Sequence, residues 1–330
     1  MTDQLATFAY NSNGGSRPWM KLGKPVDGCM TVEDALIAGG CNFLATKVPV
    51  EGKLLLPDDD GMPVEHHVVD PDHSMVVRTD TRQSLGVVGS RYKVVQMKDA
   101  FGFFDEALGE NAAIIDSVGM INKGRTGFMI AKLPECVEIV PGDEIERYLM
   151  FTNSYDGSTP VTCLFMANRL ACTNQLNASM RKSKNCVKIR HTKNAKIRIK
   201  EAHRILKANE AYWEHMKAAL QYMASKQVTT TEVQDFVADL LPGTVNDDGV
   251  EEASTRTLNR REAIVKAFEE SPGSDLAGTT AYGLFNAVTW HIDHEASLRK
   301  GTDRWEASLS GSGSKLRQNA FNLLTQLAAS

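Results

Sequence analysis

The chain has 330 residues, 42% of them hydrophobic and 24% charged, with 37 basic and 41 acidic side chains and a net charge of −4. That balance supplies apolar mass for one large domain or two modest ones and excludes a disordered or collagen-like chain. No run reaches the roughly 18 apolar residues of a membrane-spanning helix, and Met1-Thr2-Asp3 lacks the basic-then-apolar pattern of a secretory signal, so a cytoplasmic location and no membrane partner are expected. Six cysteines without a CxxC pair point to reduced thiols rather than a disulfide framework or a zinc ribbon.

In chain order, Thr31 as N-cap and Asp34 in the first turn predict a short helix over 31–38. Strand-type runs follow at 43–50 and 75–78. Residues 85–95 divide into two strands around Gly89-Ser90, a two-residue hairpin turn in which glycine accommodates positive φ. A helix is expected over 98–108. Residues 113–121 pair with 125–133 around 122–124, and 147–152 pair with 159–166 around 153–158. Two consecutive hairpins imply an antiparallel sheet. Residues 168–180 read as a helix, 186–191 as a strand and 193–225 as a long helix.

Helices thus follow strands instead of alternating with them. The expected fold class is α+β: an antiparallel β-sheet built from hairpins with packed helices, then an all-helical C-terminal region. A short helix ends at Leu241-Pro242-Gly243. The acidic stretch 246–257 reads as a linker between an α+β core domain, 1–245, and a helical region, 258–330. Helices are expected there over 256–270, 279–300 and 315–328, the last preceded by a flexible joint at 310–314.

Charge is distributed unevenly. Residues 181–207 carry eleven Lys or Arg against Glu201 alone, a net +10 that leaves −14 on the rest of the chain. On a helical wheel Lys193, Lys196, Lys200, Arg204 and Lys207 share an arc of about 80°. Ile199, Ala202, Ile205, Leu206, Trp213, Met216 and Leu220 lie opposite, so the helix packs on one side and is positive on the other. Lysines in the first turns oppose the helix dipole, whereas the acids Glu210 and Glu214 come only later. A locally unfavourable choice repeated several times indicates a second demand on those positions, and phosphate binding is such a demand. The alternative is an ordinary solvated face.

The candidate nucleic-acid contacts are Arg169, Arg181, Lys182, Lys184, Lys188, Arg190, Lys193, Lys196, Lys200, Arg204 and Lys207. Lys123, Arg125, Arg91 and Tyr92 are secondary candidates at turns, and Tyr212 and Trp213 are candidate stacking aromatics, with Trp213 on the apolar face.

His66, His67, Asp70, Asp72 and His73 comprise metal-ligand types in no defined spacing and read as a polar loop. His291 and His294 share a helix face without an obvious third ligand. Cys172 with His191 is a conceivable thiolate pair, although a cysteine inside an amphipathic helix is by default a small buried hydrophobe. With no Walker loop, GxGxxG or HExxH, neither a cofactor nor a metal is expected.

Several segments in a fixed order carry a family resemblance: Trp19, Thr31-Val-Glu-Asp-Ala-Leu, Val77-Arg78-Thr79-Asp80 leading to Leu85-Gly-Val-Val-Gly-Ser-Arg-Tyr92, Asn153-Ser-Tyr-Asp-Gly-Ser158, Asn168-Arg-Leu-Ala-Cys-Thr-Asn174 and Arg190-His191-Thr192. Over residues 19–225 the chain resembles the phage/plasmid-like family known as domain of unknown function 932. The resemblance implies a bacteriophage or plasmid origin and a cytoplasmic role but brings no established activity, fold or catalytic residues. Mobile elements commonly carry recombination, annealing and single-strand binding proteins, and this association points the same way as the charge.

The leading expectation is therefore a non-catalytic protein that binds nucleic acid, preferentially single-stranded DNA, or works in annealing, as a monomer or a homo-oligomer. One alternative is an interaction protein that inhibits a host DNA-processing factor through the region 232–275, which has eleven acids against four bases. Another is an enzyme with an unrecognised site at Cys172, His191 or residues 66–73.

Overall fold

Period-two alternation along long apolar strands sets up the centre of the molecule. The computed structural model describes residues 7–11, 24–26, 31–102, 114–171, 176, 185–188, 195–245, 251–297 and 312–329; for 7, 8, 11, 195–199, 201–203, 245 and 251 it describes the backbone alone. The strands up to residue 188 are β1 (Thr7–Asn11), β2 (Lys24–Val26), β3 (Ala45–Pro57), β4 (Pro63–Arg78), β5 (Ser84–Gly89), β6 (Ile114–Ile121), β7 (Thr126–Val140), β8 (Asp143–Ser154), β9 (Thr162–Arg169) and β10 (Cys186–Lys188). They form a seven-stranded sheet of order β10-β9-β8-β7-β6-β1-β2 and a three-stranded sheet of order β3-β4-β5. Pairing is antiparallel throughout except between β1 and β2.

Both expected hairpins of the large sheet are present. The first turns through Asn122 and Lys123, both at positive φ, and the second through an Asx turn in which Ser158 N donates to Asp156 Oδ1. Alternate residues supply two buried faces. Met129, Ala131, Leu149, Phe151, Cys163 and Phe165 belong to the main core, and Phe128, Ile130, Tyr148, Met150 and Met166 form a second cluster. Burial on both faces explains why β7 and β8 read as near-continuous apolar runs rather than a clean alternation.

Helices α1 (Val32–Ala38), α2 (Met97–Phe101), α3 (Ala195–Ser225) and α4 (Thr230–Leu240) complete the first part. Thr31 caps α1 as expected, accepting from Asp34 N. Helix α3 buries Ile205, Tyr212, Trp213, Met216, Leu220 and Met223, and the Tyr212 ring packs 5.6 Å from that of Phe165 on β9. Each such side chain contributes about 1.5–3 kcal/mol by leaving water, which fixes the rotation of the helix about its axis. Beyond α4, β11 (Thr244–Val245) pairs with β12 (Glu251–Glu252). Then come α5 (Thr255–Glu270), α6 (Ser274–Ala277), α7 (Ala281–Trp290), a π-helical turn (His291–Glu295) and α8 (Ser312–Ala329). The class is α+β, with antiparallel sheets first and a helical region after them.

The described residues on both sides of the expected 246–257 linker share one hydrophobic core, from Ala9 to Ala328. Within that stretch Glu251 and Glu252 are paired as a strand and Ser254 already caps α5.

Three other local expectations differ from the fold. Residues 85–95 do not make a hairpin: β5 pairs with β4, and the following segment is held by side chains. Lys47 Nζ donates to Ser90 O and Tyr92 O, Asn153 Nδ2 donates to Val95 O, and Gln96 bonds both backbone groups of Ala45. Residues 66–73 are not a loop but part of β4, because each residue from 64 to 70 has a cross-strand partner on β3. Asn168 and Arg169 end β9 instead of starting a helix.

Two of the quoted family segments, 77–92 and 153–158, meet at the junction of the two sheets. Tyr92 Oη donates to Ser154 O at 2.8 Å, and a Cβ on Gly86 would stand 2.7 Å from Asp156 Cβ. The Arg78 guanidinium lies 3.9 Å from the centroid of the Phe43 ring and forms a two-point bond with Asp80. Phe43 in turn packs on Tyr155, whose hydroxyl accepts from Met97 N. These segments therefore act together as a structural joint. Trp19, 172–174 and 190–192 lie outside the described residues.

Burial pushes the Cys41 thiol up to about 12 and raises that of Cys163 well above its usual range, while Cys136 is exposed. A thiol held protonated is a poor nucleophile. Brief alkylation of the native protein followed by peptide mapping is expected to label Cys136 and leave Cys41 and Cys163 unmodified until denaturant is added. Labelling of Cys41 at the rate of Cys136 would contradict this packing.

Candidate nucleic-acid interface

Strand β10 borders the large sheet, and its last residue, Lys188, is exposed. Helix α3 passes beside it, with Arg204 Nη2 donating to the Lys188 carbonyl at 2.8 Å. That bond joins the edge strand to the helix at the point where both carry positive charge. Lys200 is one turn before Arg204 and Lys207 nearly one turn after it, and all three side chains are exposed. The opposite side of the helix is the buried Ile205, Tyr212, Trp213 and Met216. Among the described residues no carboxylate pairs with Lys188, Lys200 or Lys207. Four of the sequence-predicted cations thus share one outward-facing surface.

The other candidates fare differently. Arg181, Lys182, Lys184, Arg190 and Lys193 lie outside the described residues, and of Lys196 only the backbone is described, on α3. Arg169 is a correction: it does not reach the basic surface. Its side chain is buried at the end of β9, where it donates to both Asp143 carboxylate oxygens and, through Nη2, to Gly273 O at 2.7 Å. The guanidinium also lies 5.6 Å from the Tyr282 ring centroid. Burial raises the Tyr282 hydroxyl above its usual range, with Arg169 opposing the shift. A charge so enclosed binds its own protein, not a phosphate.

Tyr212 and Trp213 are also withdrawn from the surface. Both are buried, in edge-to-face contact at 5.3 Å, and the Trp213 indole donates to Asn209. Neither offers an open ring face to a base, so the charge is left without the aromatic platform that many single-strand binding surfaces carry.

Strand register connects residues that the sequence presents separately. Gly119, Phe128, Thr152, Thr162 and Lys188 form one row across β6, β7, β8, β9 and β10. The β6–β7 turn, with Lys123 and Arg125 exposed, therefore projects from the same end of the sheet as Lys188. Three strand spacings, roughly 14 Å, separate β10 from β7. Arg91 is exposed too, in the segment after β5.

No catalytic constellation emerges among the described residues. His73 bonds Asp70 at 2.9 Å and His67 pairs with Glu65 at 3.2 Å on an exposed ribbon, and no group of three metal-ligating side chains is present among the described residues. His291 bonds Glu295 at 3.2 Å, and His294 stacks on Trp290. Cys172 and His191 lie outside the described residues. No described helix is long and apolar enough to cross a membrane.

Comparison with curated proteins and with solved structures returns no match. A family model does match, over residues 84–310, leaving out the quoted segments before residue 84 and extending beyond residue 225 through most of the C-terminal helical region. With that match over more than half of its length, the chain belongs to the family described as a domain of unknown function, DUF932.

Proposed function

We propose that the protein binds nucleic acid through the β10 and α3 surface, by sequence-independent phosphate contacts, with single-stranded DNA as the preferred form and annealing as the cellular use. The observation that carries this reading is the joined set of exposed cations, Lys188, Lys200, Arg204 and Lys207, on an otherwise acidic chain. A positive field confined to one face attracts a polyanion from a distance and orients it on arrival. A phage- or plasmid-borne protein acting in the cytoplasm, in recombination, fits this role. No step of bond making or breaking is assigned to it.

Binding of a labelled oligonucleotide across a salt series tests the proposal. Contact with about five phosphates of a single strand gives a slope of log affinity against log salt of about −3.5. Reversing Lys196, Lys200, Arg204 and Lys207 to glutamate is expected to abolish binding at low salt, and loss of any one phosphate contact by a single substitution to make the slope shallower by about 0.7. Undiminished affinity in the fourfold variant rejects the surface. Recovery of one nuclease-resistant host protein at fixed stoichiometry, with no oligonucleotide binding, would instead identify an inhibitor of a host factor.

A further inference from the structure

The register between β3 and β4 shifts at Pro49/Val50, and β5 pairs with β4 only from His73 to Val77. Beyond that point eight residue pairs, Val50↔Asp70 to Pro57↔Pro63, form a two-stranded ribbon with no third strand among the described residues. The ribbon extends about 25 Å. Paired residues share a face, so Leu54, Leu56, Val64 and Val68 line one side around His66, the four aliphatics each between 40% and 56% exposed. The other side carries Leu55 and Val69, 63% and 53% exposed, beside a cross-strand ion pair of Lys53 with Glu65 at 2.8 Å, with His67 3.2 Å from Glu65 on the same strand. An isolated two-stranded ribbon is marginal in water, and one with an uncovered aliphatic face is a surface awaiting a partner.

Charge identifies that partner. Residues 51–72 hold seven acids and one lysine, with Asp58, Asp59 and Asp60 at the tip. The base of the same sheet is cationic. Arg82 lies there beside Gln83, whose side chain donates to Lys123 O, and Arg125 follows in the same turn. Arg82, Lys123 and Arg125 are exposed and in no ion pair among the described residues. Thirteen paired rows, roughly 40 Å, separate base from tip, so a chain's own tip does not reach its own cationic base and that base is open to the tip of a neighbour.

A ribbon about 10 Å wide offers about 250 Å² per face, well under the about 800 Å² per partner of a stable interface, so the aliphatic face alone is not enough and charge pairing must add to it. Two arms laid face to face would oppose seven acids and one lysine with the same set, whereas a neighbour's cationic base supplies the opposite sign.

We propose that the β3–β4 arm is an assembly element that docks head-to-tail on a second copy of this chain, aliphatic face down and acidic tip against Arg82, Lys123 and Arg125 of that copy. The contact is non-reciprocal, each chain giving its arm to one neighbour and its base to another, so it generates rings or open filaments; a reciprocal exchange of arms would instead close a dimer. It does not depend on the nucleic-acid reading.

Sedimentation velocity on nuclease-treated, nucleic-acid-free protein tests it. The unaltered chain is expected to form species above a dimer at low salt that shrink as salt rises. L54D/V68D, at two exposed positions, is expected to sediment as a single chain with an unchanged circular dichroism spectrum. D59K/D60K spares Asp58, whose carboxylate accepts from Asp60 N and Met62 N in the turn. Alone it should stay monomeric, as should R82E/K123E/R125E, and mixing the two should restore heterotypic association. An unaltered chain that remains single at all concentrations, a limiting dimer, or a mixture that fails to associate overturns the proposal.

Discussion

Replacing Arg169 by alanine is expected to lower the stability of the folded chain by about 3–5 kcal/mol, the usual consequence of leaving a buried partner charge uncompensated. Asp143 is that partner, and both side chains are almost wholly enclosed. The pair also joins two parts of the fold. Arg169 ends β9 and Asp143 begins β8, while Nη2 reaches Gly273 O in the turn between α5 and α6. Gly273 has φ of 75°, and a Cβ there would meet Ala171 Cβ at 2.7 Å and Arg169 Nη1 at 3.0 Å, so the turn has room for this arginine and little else. The urea midpoint should fall sharply in R169A, and R169A/D143A should recover part of the loss because no lone charge remains. Oligonucleotide affinity, measured where the variant is still folded, should be unchanged. A midpoint shift equivalent to less than about 1 kcal/mol would show that water, not protein, surrounds this pair.

The different fates of Arg169 and Arg204 show where sequence reading succeeds and where it stops. Arg204 lies in a helix of more than eight turns, and its spacing from Lys200 and Lys207 fixes its face before any tertiary contact is known. Arg169 is the last residue of β9 and the second of the helix expected over 168–180, so a small displacement of the boundary changes helix surface into sheet interior. Nothing local marks Asp143, 26 residues upstream, as its partner. The hairpins at 122–124 and 153–158 were legible because turn chemistry is local. The ribbon formed by β3 and β4 was not, because its histidines and aspartates resemble a polar loop until pairing with residues 50–57 is known. The supposed turn at Gly89-Ser90 is a real turn with a different continuation, decided by side chains of Lys47 and Asn153 that are distant in sequence.

The same physics applies to the last helix. In α8 the buried positions are Arg317, Ala320, Phe321, Leu324 and Ala328, recurring at i, i+3, i+4, i+7 and i+11 on one face. The helical period that carries Phe321 and Leu324 inward carries Arg317 with them. A guanidinium in that position needs a carboxylate, and Asp293 supplies it from the π-helical turn, with Arg317 Nη2 donating to Oδ1 at 2.7 Å. Arg317→Ala is expected to cost about 3–5 kcal/mol, because Asp293 then stays buried without its counter-ion. Replacing both members by leucine removes two charges that are expensive to dehydrate, and the R317L/D293L chain is expected to equal or exceed the parent by about 1–4 kcal/mol. Urea midpoints of the two single variants and the double variant give the coupling directly. If the double variant is as unstable as the sum of the singles, the pair contributes through packing shape alone and not through the match of charges.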